Sequence, residues 1–254
     1  MRRKLLIGLA VLLALPLVVV AAMRMMRSHH DAPVVVHGRV MRMRNLFTEI
    51  YGARVGDRVI LFDGGIDSDG PALDALLTAL HAGRDDVSDV FLTHGHFDHV
   101  QAAPLCKKAR IHVGAEDVDM LAGRVRTEPL AARWFAMALP PPQFVADAPY
   151  HGREELALAS GDKVVALPLP GHTPGSYVLF FDGVLIAGDS LQISDGKLQL
   201  AMPAFTVDVA ANRRNVAALE AALAGLDVDT VCTGHQGCTP GGEAKKLIAE
   251  LVAR

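Results

Sequence analysis

Three histidines and one aspartate lie within six consecutive positions of this chain, and they constrain its fold more than any other feature. The run is His94-Gly95-His96-Phe97-Asp98-His99. Because alternate residues of an extended chain point to the same side, His94 and His96 can face one point. Asp98 and His99 reach that point only after a bend, and no single α-helix places all four side chains on one face. We therefore expect a loop that follows a strand predicted at residues 87–93.

Three shorter motifs downstream supply further side chains that can bind a metal ion. They are Gly171-His172-Thr173-Pro174-Gly175, Gly188-Asp189 and Gly234-His235. Neutral imidazole and carboxylate groups are the ligands that suit zinc and similar divalent ions. Each short motif alone would be an ordinary turn, but the histidine-rich run favours His172, Asp189 and His235 as additional ligands. The whole set is large enough for two divalent metal ions, with Zn²⁺ as the default.

Strands and helices alternate along the chain in two similar halves. In the first half we predict strands at 34–43, 46–51, 58–62, 87–93 and 111–113, and helices at 71–81, 116–121 and 128–139. In the second half we predict strands at 163–167, 177–181, 184–187 and 228–232, and helices at 208–223 and 242–252. This pattern indicates an α/β fold with two packed sheets flanked by helices. The metal-binding side chains would then lie on loops at one edge.

The order of the four motifs resembles that of the metallo-β-lactamase-fold hydrolase superfamily, in particular its glyoxalase-II-like and lactonase-like branches. The resemblance extends over residues 34–254 and implies an αββα four-layer sandwich of two mixed β-sheets flanked by helices. It also implies the ligand roles: His94, His96 and His172 for one metal ion, Asp98, His99 and His235 for the other, and Asp189 as the bridging carboxylate. Asp63, which ends an early strand, matches an aspartate that supports such a site from behind its ligands.

Two metal ions about 3.5–4 Å apart can share a hydroxide that attacks a carbonyl or phosphoryl centre. Asp98 can orient this nucleophile and pass on its proton, so it is also the predicted catalytic residue. We therefore predict a dinuclear metal-dependent hydrolase that uses a bridging hydroxide on an ester, thioester, lactone or amide bond. Two alternatives stay open: metallo-β-lactamase activity proper, because Asp-Ser-Leu at 189–191 resembles one lactamase branch, and a non-catalytic membrane-anchored metal-binding domain.

The expected substrate is a small molecule rather than a nucleic acid. The chain has 254 residues and a net charge of −3, so it lacks the basic excess that a nucleic-acid groove requires. Three apolar stretches are candidate walls of the substrate site, which favours a hydrophobic acyl group. They are Leu46-Phe47, the segment from Trp134-Phe135 to Phe144, and the segment from Leu198 to Phe205.

The N-terminus reads as a targeting or anchoring segment. Arg2, Arg3 and Lys4 precede a stretch without charged residues from Leu5 to Met23. Its length exceeds a signal-peptide core and approaches the roughly 20 residues that span a bilayer. We expect residues 1–23 to be an uncleaved membrane anchor, with a cleaved signal as the alternative, and residues 24–33 to be a tether. The catalytic domain at 34–254 would then lie outside the cytoplasm, in the periplasm if the source is bacterial.

The chain contains three cysteines, Cys106, Cys232 and Cys238, at no zinc-finger spacing. Small buried hydrophobic residues are the simpler interpretation of Cys106 and Cys232. Cys238 lies in a loop near His235, so a bridge between Cys232 and Cys238 is the alternative in an oxidising compartment.

Overall fold

The computed structural model describes residues 18, 21–22, 25–26, 29–126, 129–130, 132–133, 136 and 139–254. Most of the predicted anchor at 1–23, part of the predicted tether at 24–33 and half of the helix predicted at 128–139 lie outside these residues. Among the residues that are described, no helix combines the length and the apolar character needed to cross a membrane.

The first sheet has six strands in sequence order. They are β1 (Val34–His37), β2 (Val40–Asn45), β3 (Thr48–Val55), β4 (Arg58–Phe62), β5 (Val87–Phe91) and β6 (Arg110–His112). The first four strands pair antiparallel, whereas β5 is parallel to both β4 and β6. The prediction of one strand at 34–43 was wrong, because the chain reverses at Gly38. Its φ of 50° is a left-handed conformation that glycine adopts easily.

The second sheet has five strands in the order β13-β10-β9-β8-β7. They are β7 (Glu154–Ala157), β8 (Lys163–Pro168), β9 (Tyr177–Phe181), β10 (Val184–Ile186) and β13 (Thr230–Cys232). Only the β10–β13 pair is parallel among these neighbours. A separate hairpin consists of β11 (Leu191–Ser194) and β12 (Lys197–Leu200). Sequence analysis missed this hairpin, although its Asp195-Gly196 turn is a strong hairpin signal with both φ angles positive.

Within the described parts of the chain, the helices whose two ends are both defined are short, and most of them lie between strands. They are α1 (Pro71–Ala79), α2 (Phe97–Val100), α3 (Val118–Leu121), α4 (Val209–Ala217), α5 (Leu219–Ala222) and α6 (Ala244–Val252). Asp208 caps α4, as its position suggests, by accepting a hydrogen bond of 2.8 Å from the backbone N–H of Ala211. The single helix predicted at 208–223 is instead two helices separated at Ala218.

Alternating side chains of the two sheets enter different hydrophobic cores. Ile60 of β4 and Ala166 of β8 are buried together between the sheets. Leu61 points the other way, into the first core, which α1 covers, and Val165 points into the third core, which α4, α5 and α6 cover; the core between the sheets is the second. Because the period of a strand is two residues, neighbouring residues serve opposite faces of each sheet. The layers are therefore helix, sheet, sheet and helix, which confirms the predicted αββα sandwich.

The parallel strand pairs position the polar loops. In the first sheet β4 ends just before Asp63, and β5 ends just before Thr93 and His94. In the second sheet β10 precedes Asp189 and β13 precedes His235. Since parallel neighbours end at the same edge of a sheet, each pair delivers its loops to one place.

Cys232 and Cys238 form a disulfide bond, the alternative that sequence analysis left open. The bond joins the end of β13 to the loop that carries His235. Cys106 is a free, buried thiol in the first core, as expected.

Candidate metal centre

The structure brings all seven predicted ligand side chains into one cluster. Within the described residues, three overlapping groups each place their potential ligand atoms within 4.8 Å of one another. These groups are His94, His96 and His172; His94, His99 and Asp189; and Asp98, His99 and His235. The cluster is the geometry that the four motifs predict.

Contacts inside the cluster join the two halves of the chain. Nε2 of His172 lies 2.9 Å from Nδ1 of His96. Nε2 of His235 lies 2.9 Å from a carboxylate oxygen of Asp189 and 3.7 Å from one of Asp98. Loops from both sheets therefore meet at a single point.

Two histidines of the first half are held from behind by the same polar pair. Nδ1 of His99 lies 2.9 Å from a carboxylate oxygen of Asp63. The hydroxyl of Thr93 lies 2.9 Å from Asp63 and 3.0 Å from Nδ1 of His94. Asp63 therefore lies behind the cluster, where the resemblance implies it, and fixes the ring of His99 so that Nε2 points inward.

The histidines of the second half are held in the same way. Nδ1 of His235 donates a hydrogen bond of 2.8 Å to the backbone carbonyl of Phe47. Nδ1 of His172 is 3.4 Å from the hydroxyl of Thr206. These outer partners were not predicted, because a carbonyl or a lone threonine far away in the sequence carries no motif.

The inner atoms of the cluster fit a divalent cation. Among the described residues, four buried atoms at the centre have no hydrogen-bond partner: Nε2 of His94, His96 and His99, and Oδ1 of Asp189. Buried polar atoms normally have partners, because an unpaired one costs about 1–3 kcal/mol. Imidazole nitrogens and a carboxylate oxygen that converge on one point are the ligand atoms that zinc-like ions take.

The imidazoles of the first group are neutral at physiological pH. Burial lowers the pKa of His96 to about 4. It also lowers the pKa of His172 to about 3, and the neighbouring His96 adds to this effect. Burial, reinforced by His99, holds the pKa of His94 well below its usual range. A neutral imidazole keeps the lone pair that metal binding requires.

The rest of the cluster is a negative environment that attracts positive charge. Burial lowers the pKa of His235, but the carboxylates of Asp189 and Asp98 outweigh it and raise that pKa to about 9. The same balance, led by Asp189, raises the pKa of His99. The paired carboxylates would also stabilise a cation in place of these protons.

A cavity of about 740 Å³ opens next to the cluster. Its walls include His96, Asp98, Asp189 and His235, together with the apolar side chains of Ala22, Met26, Leu46, Phe47, Phe97, Ala132, Met202 and Phe205. The remaining lining residues are Arg44, Gln192 and Gln236. A small organic molecule placed in this cavity would touch both the polar cluster and a largely apolar wall.

The predicted substrate walls are partly correct. Leu46-Phe47 line the cavity, and so do Met202 and Phe205 from the predicted 198–205 segment. Leu198 itself is buried in the third core, because β12 turns it toward α6, and Phe144 packs on the first core. Trp134 and Phe135 lie outside the described residues.

Asp117 is an important residue that sequence analysis missed. It is fully buried and its carboxylate accepts hydrogen bonds from the backbone N–H groups of Gly95 and Gly175. Gly95 lies between two predicted ligands, and Gly175 belongs to the loop of His172. The segment Gly114-Ala115-Glu116-Asp117 matches no motif, so only the folded chain reveals this link.

Comparison with known proteins agrees with this geometry. The family model described as the Metallo-beta-lactamase superfamily matches residues 46–235. A hydroxyacylglutathione hydrolase from Fuscovulum blasticum is 30% identical over 181 residues, which cover 66% of this chain. The match spans only 55% of that relative, so just over half of its length has a counterpart here.

Solved structures of metallo-β-lactamases share the fold. BJP-1, a subclass B3 enzyme of Bradyrhizobium japonicum, is 16% identical with a TM-score of 0.66, covering 91% of this chain and 94% of that protein. A metallo-β-lactamase of Cronobacter sakazakii with a HARLDQ motif is 21% identical with a TM-score of 0.64, covering 82% and 80%. The family match over most of the chain and the shared four-layer architecture lead to one conclusion: this chain belongs to the metallo-β-lactamase superfamily.

Proposed function

We propose that this protein is a dinuclear metal-dependent hydrolase that cleaves an acyl bond, either an ester, thioester, lactone or amide. The observation that carries the proposal is the convergence of seven imidazole and carboxylate side chains, four of whose buried inner atoms have no hydrogen-bond partner among the described residues. Membership of a hydrolase superfamily and similarity to a hydroxyacylglutathione hydrolase support it.

The cluster divides naturally into two ligand sets. His94, His96 and His172 would hold one ion, and Asp98, His99 and His235 would hold the other, with Asp189 between them. When bound, such a pair of ions brings the pKa of water toward neutrality and polarises the electrophilic group of a substrate. Zn²⁺ is the ion that these ligands favour.

Asp98 is the residue that we propose to move the proton. Its carboxylate lies in the cavity wall, and one of its oxygens is 3.7 Å from Nε2 of His235. In hydrolysis the water oxygen bonds to the acyl carbon while the bond to the leaving oxygen, sulfur or nitrogen breaks. Asp98 would take the proton released by the water and deliver it to the leaving group.

The substrate would carry an apolar acyl group. Phe47, Met202 and Phe205 provide an apolar surface that continues directly from the polar cluster. Burying a methylene group on such a surface is worth about 0.8 kcal/mol, so the cavity favours aliphatic or aromatic acyl groups over strongly polar ones.

Metal content and turnover of the purified full chain test this proposal together. Elemental analysis should find two divalent ions per chain, and a panel of ester, thioester, lactone, phosphodiester and chromogenic cephalosporin substrates should show hydrolysis of acyl compounds. Cephalosporin hydrolysis alone would favour metallo-β-lactamase activity. Two ions without turnover of any substrate would favour the non-catalytic binding role, and fewer than two ions would overturn the dinuclear site.

We also propose that residues 34–254 lie outside the cytoplasm and that the basic and apolar N-terminus directs them there. The disulfide bond between Cys232 and Cys238 supports this location, because such bonds persist in oxidising compartments. Protease added to intact cells or to spheroplasts should digest this part of the chain. Complete protection there, with digestion after lysis, would contradict the proposed location.

A further inference from the structure

We propose that Asp117 is a positioning residue that fixes the spacing of the His94, His96 and His172 triad, and thereby controls how tightly this triad binds a divalent ion. The inference rests on the proposed function, because it concerns the ion that the triad would hold. Asp117 itself is not a member of the ligand groups found among the described residues.

One carboxylate of Asp117 connects both loops that carry the triad. Its Oδ2 accepts a hydrogen bond of 2.9 Å from the N–H of Gly95 and one of 2.6 Å from the hydroxyl of Thr173. Its Oδ1 accepts one of 2.8 Å from the N–H of Gly175. Gly95 separates the two histidines of the first loop, and Thr173 directly follows His172. The two loops therefore cannot move apart without breaking bonds to the same side chain.

These three hydrogen bonds account for the burial of the Asp117 carboxylate. Asp117 has no exposed surface, and among the residues that the structure describes no ion pair joins it to a cation. Burial raises the pKa of its carboxyl to about 6, and the hydrogen bonds from Thr173, Gly175 and Gly95 oppose that rise. Because an isolated buried carboxylate is costly, a fold that keeps one normally satisfies it with several donors.

Glycines on the surrounding loops allow this close packing. A Cβ atom on Gly175 would lie 2.7 Å from Cγ of Asp117, and one on Gly95 would lie 2.6 Å from Cε of Met120. A Cβ on Gly114 would collide with the backbone carbonyl of Gly175. The segment before Asp117 is thus in backbone contact with the His172 loop, and Gly95 packs against side chains of the Asp117 region, so the carboxylate links parts that are already closely packed.

The second ligand group, which consists of Asp98, His99 and His235, is held by different contacts. His99 is oriented by Asp63 at 2.9 Å, and His235 is oriented by the carbonyl of Phe47 at 2.8 Å. Neither contact involves Asp117. Loss of the hydrogen bonds to Asp117 should therefore lower the affinity of the triad for a divalent ion and leave the affinity of the other group nearly unchanged.

The test is a calorimetric titration of the metal-free full chain with Zn²⁺ in a competing chelator. Asp117→Asn keeps the volume but replaces one acceptor oxygen with a donor that faces the N–H of a glycine. Losing an outer partner of this kind lowers metal affinity by about 10–100-fold. We expect that loss in one of the two binding events and less than about a 2-fold change in the other. His172→Ala and His235→Ala identify which event belongs to which group.

Two further variants separate positioning from general stability. Thr173→Val removes one of the three hydrogen bonds at constant shape, so it should weaken the same binding event by a smaller factor. Asp89→Asn is the matched control, since Asp89 is also a buried carboxylate but bonds to His112, at 2.9 Å, outside the cluster. Asp89→Asn should lower the unfolding temperature without weakening one binding event more than the other. Equal weakening of both events in Asp117→Asn would overturn the proposal.

Hydrogen exchange of the metal-free protein tests the link without any ion. In Asp117→Asn, the amides of segments 94–97 and 172–176 should exchange faster together, while those of 233–238 keep their rates. Unchanged exchange in the first two segments would overturn the proposal. A wild-type chain that binds fewer than two ions would overturn the proposed function instead, and the exchange comparison would still decide whether Asp117 links the loops.

Discussion

Each imidazole of the second ligand group uses one ring nitrogen for the protein and leaves the other for the cluster. His99 is held through Nδ1 by Asp63, and His235 through Nδ1 by the carbonyl of Phe47. This arrangement fixes the direction of each ring before any ion arrives. Preorganised ligands of this kind avoid an entropic cost at binding.

Asp98→Ala should abolish nearly all hydrolysis. The substitution removes both the proposed proton carrier and one ligand of the second group, so we expect kcat/KM to fall by about 10²-fold or more. Elemental analysis should show lower occupancy in parallel. Asp119→Ala is the control, because Asp119 is an exposed aspartate of α3 that pairs with Arg124. An unchanged rate in Asp98→Ala would refute the role of this residue.

Residues that belong to short local motifs could be predicted from the sequence, and residues that act across the fold could not. The seven candidate ligands and Asp63 each lie in or next to a motif that can be found by reading along the chain. Asp117 and Thr206 acquire their partners only when distant loops meet. A single sequence read by itself contains no signal for such a meeting.

Strand β3 and the disulfide together hold the loop that carries His235. The N–H of Glu49 donates to the carbonyl of Gly234 at 2.8 Å, and the hydroxyl of Tyr51 donates to the carbonyl of Thr233 at 2.7 Å. The bond between Cys232 and Cys238 closes the base of the same loop. The loop is thus fixed by one strand along its side and by a covalent link at its ends.

Reduction of this disulfide should destabilise the metal-free chain. Removing a cross-link around so short a loop raises the entropy of the unfolded state and costs about 2 kcal/mol. Urea unfolding with and without a phosphine reductant measures the change in the free energy of unfolding. Cys106→Ala should keep the response to reductant, whereas Cys238→Ala should lose it. A response that persists in Cys238→Ala would contradict the assignment.

The turn Pro203–Phe205 and the residues between β2 and β3 should set acyl selectivity. Phe205 and Phe47 line the cavity from these two elements. For a series of straight-chain acyl esters, kcat/KM should rise by up to about 4-fold per methylene, as expected for about 0.8 kcal/mol each. Phe205→Ala should flatten this trend, and Phe144→Ala, which packs on the first core, should keep it. An equal slope in both variants would contradict the role of this apolar wall in acyl selectivity.

At the scale of the whole molecule, the four layers followed from strand and helix periodicity together with the motif order. Details that depend on single turns did not. The reversal at Gly38 split one predicted strand, and the hairpin formed by β11 and β12 was missed. Such features change which residues face a core, as for Leu198, without changing the architecture.

Chelation should destabilise the protein as a whole. Ions that bind only the folded state stabilise it by about 4 kcal/mol when present at a thousand times their dissociation constant. For a chain of this size that corresponds to a fall in Tm on the order of 10 °C when EDTA removes them. A His172→Ala, His235→Ala double variant should respond much less. A wild-type Tm that EDTA does not change would contradict a structural contribution from bound ions.

Both ligand groups draw on the two sheets at once. His94 and His96 come from the loop after β5, while His172 comes from the loop between β8 and β9. Asp98 and His99 are likewise completed by a histidine that follows β13. If the polypeptide were cut between its two halves, neither fragment would contain a complete set of ligands for an ion. Reassociation of such fragments would therefore be zinc-dependent, because the cations would add coordination bonds to the hydrogen bonds, ion pairs and apolar contacts that already join the two halves.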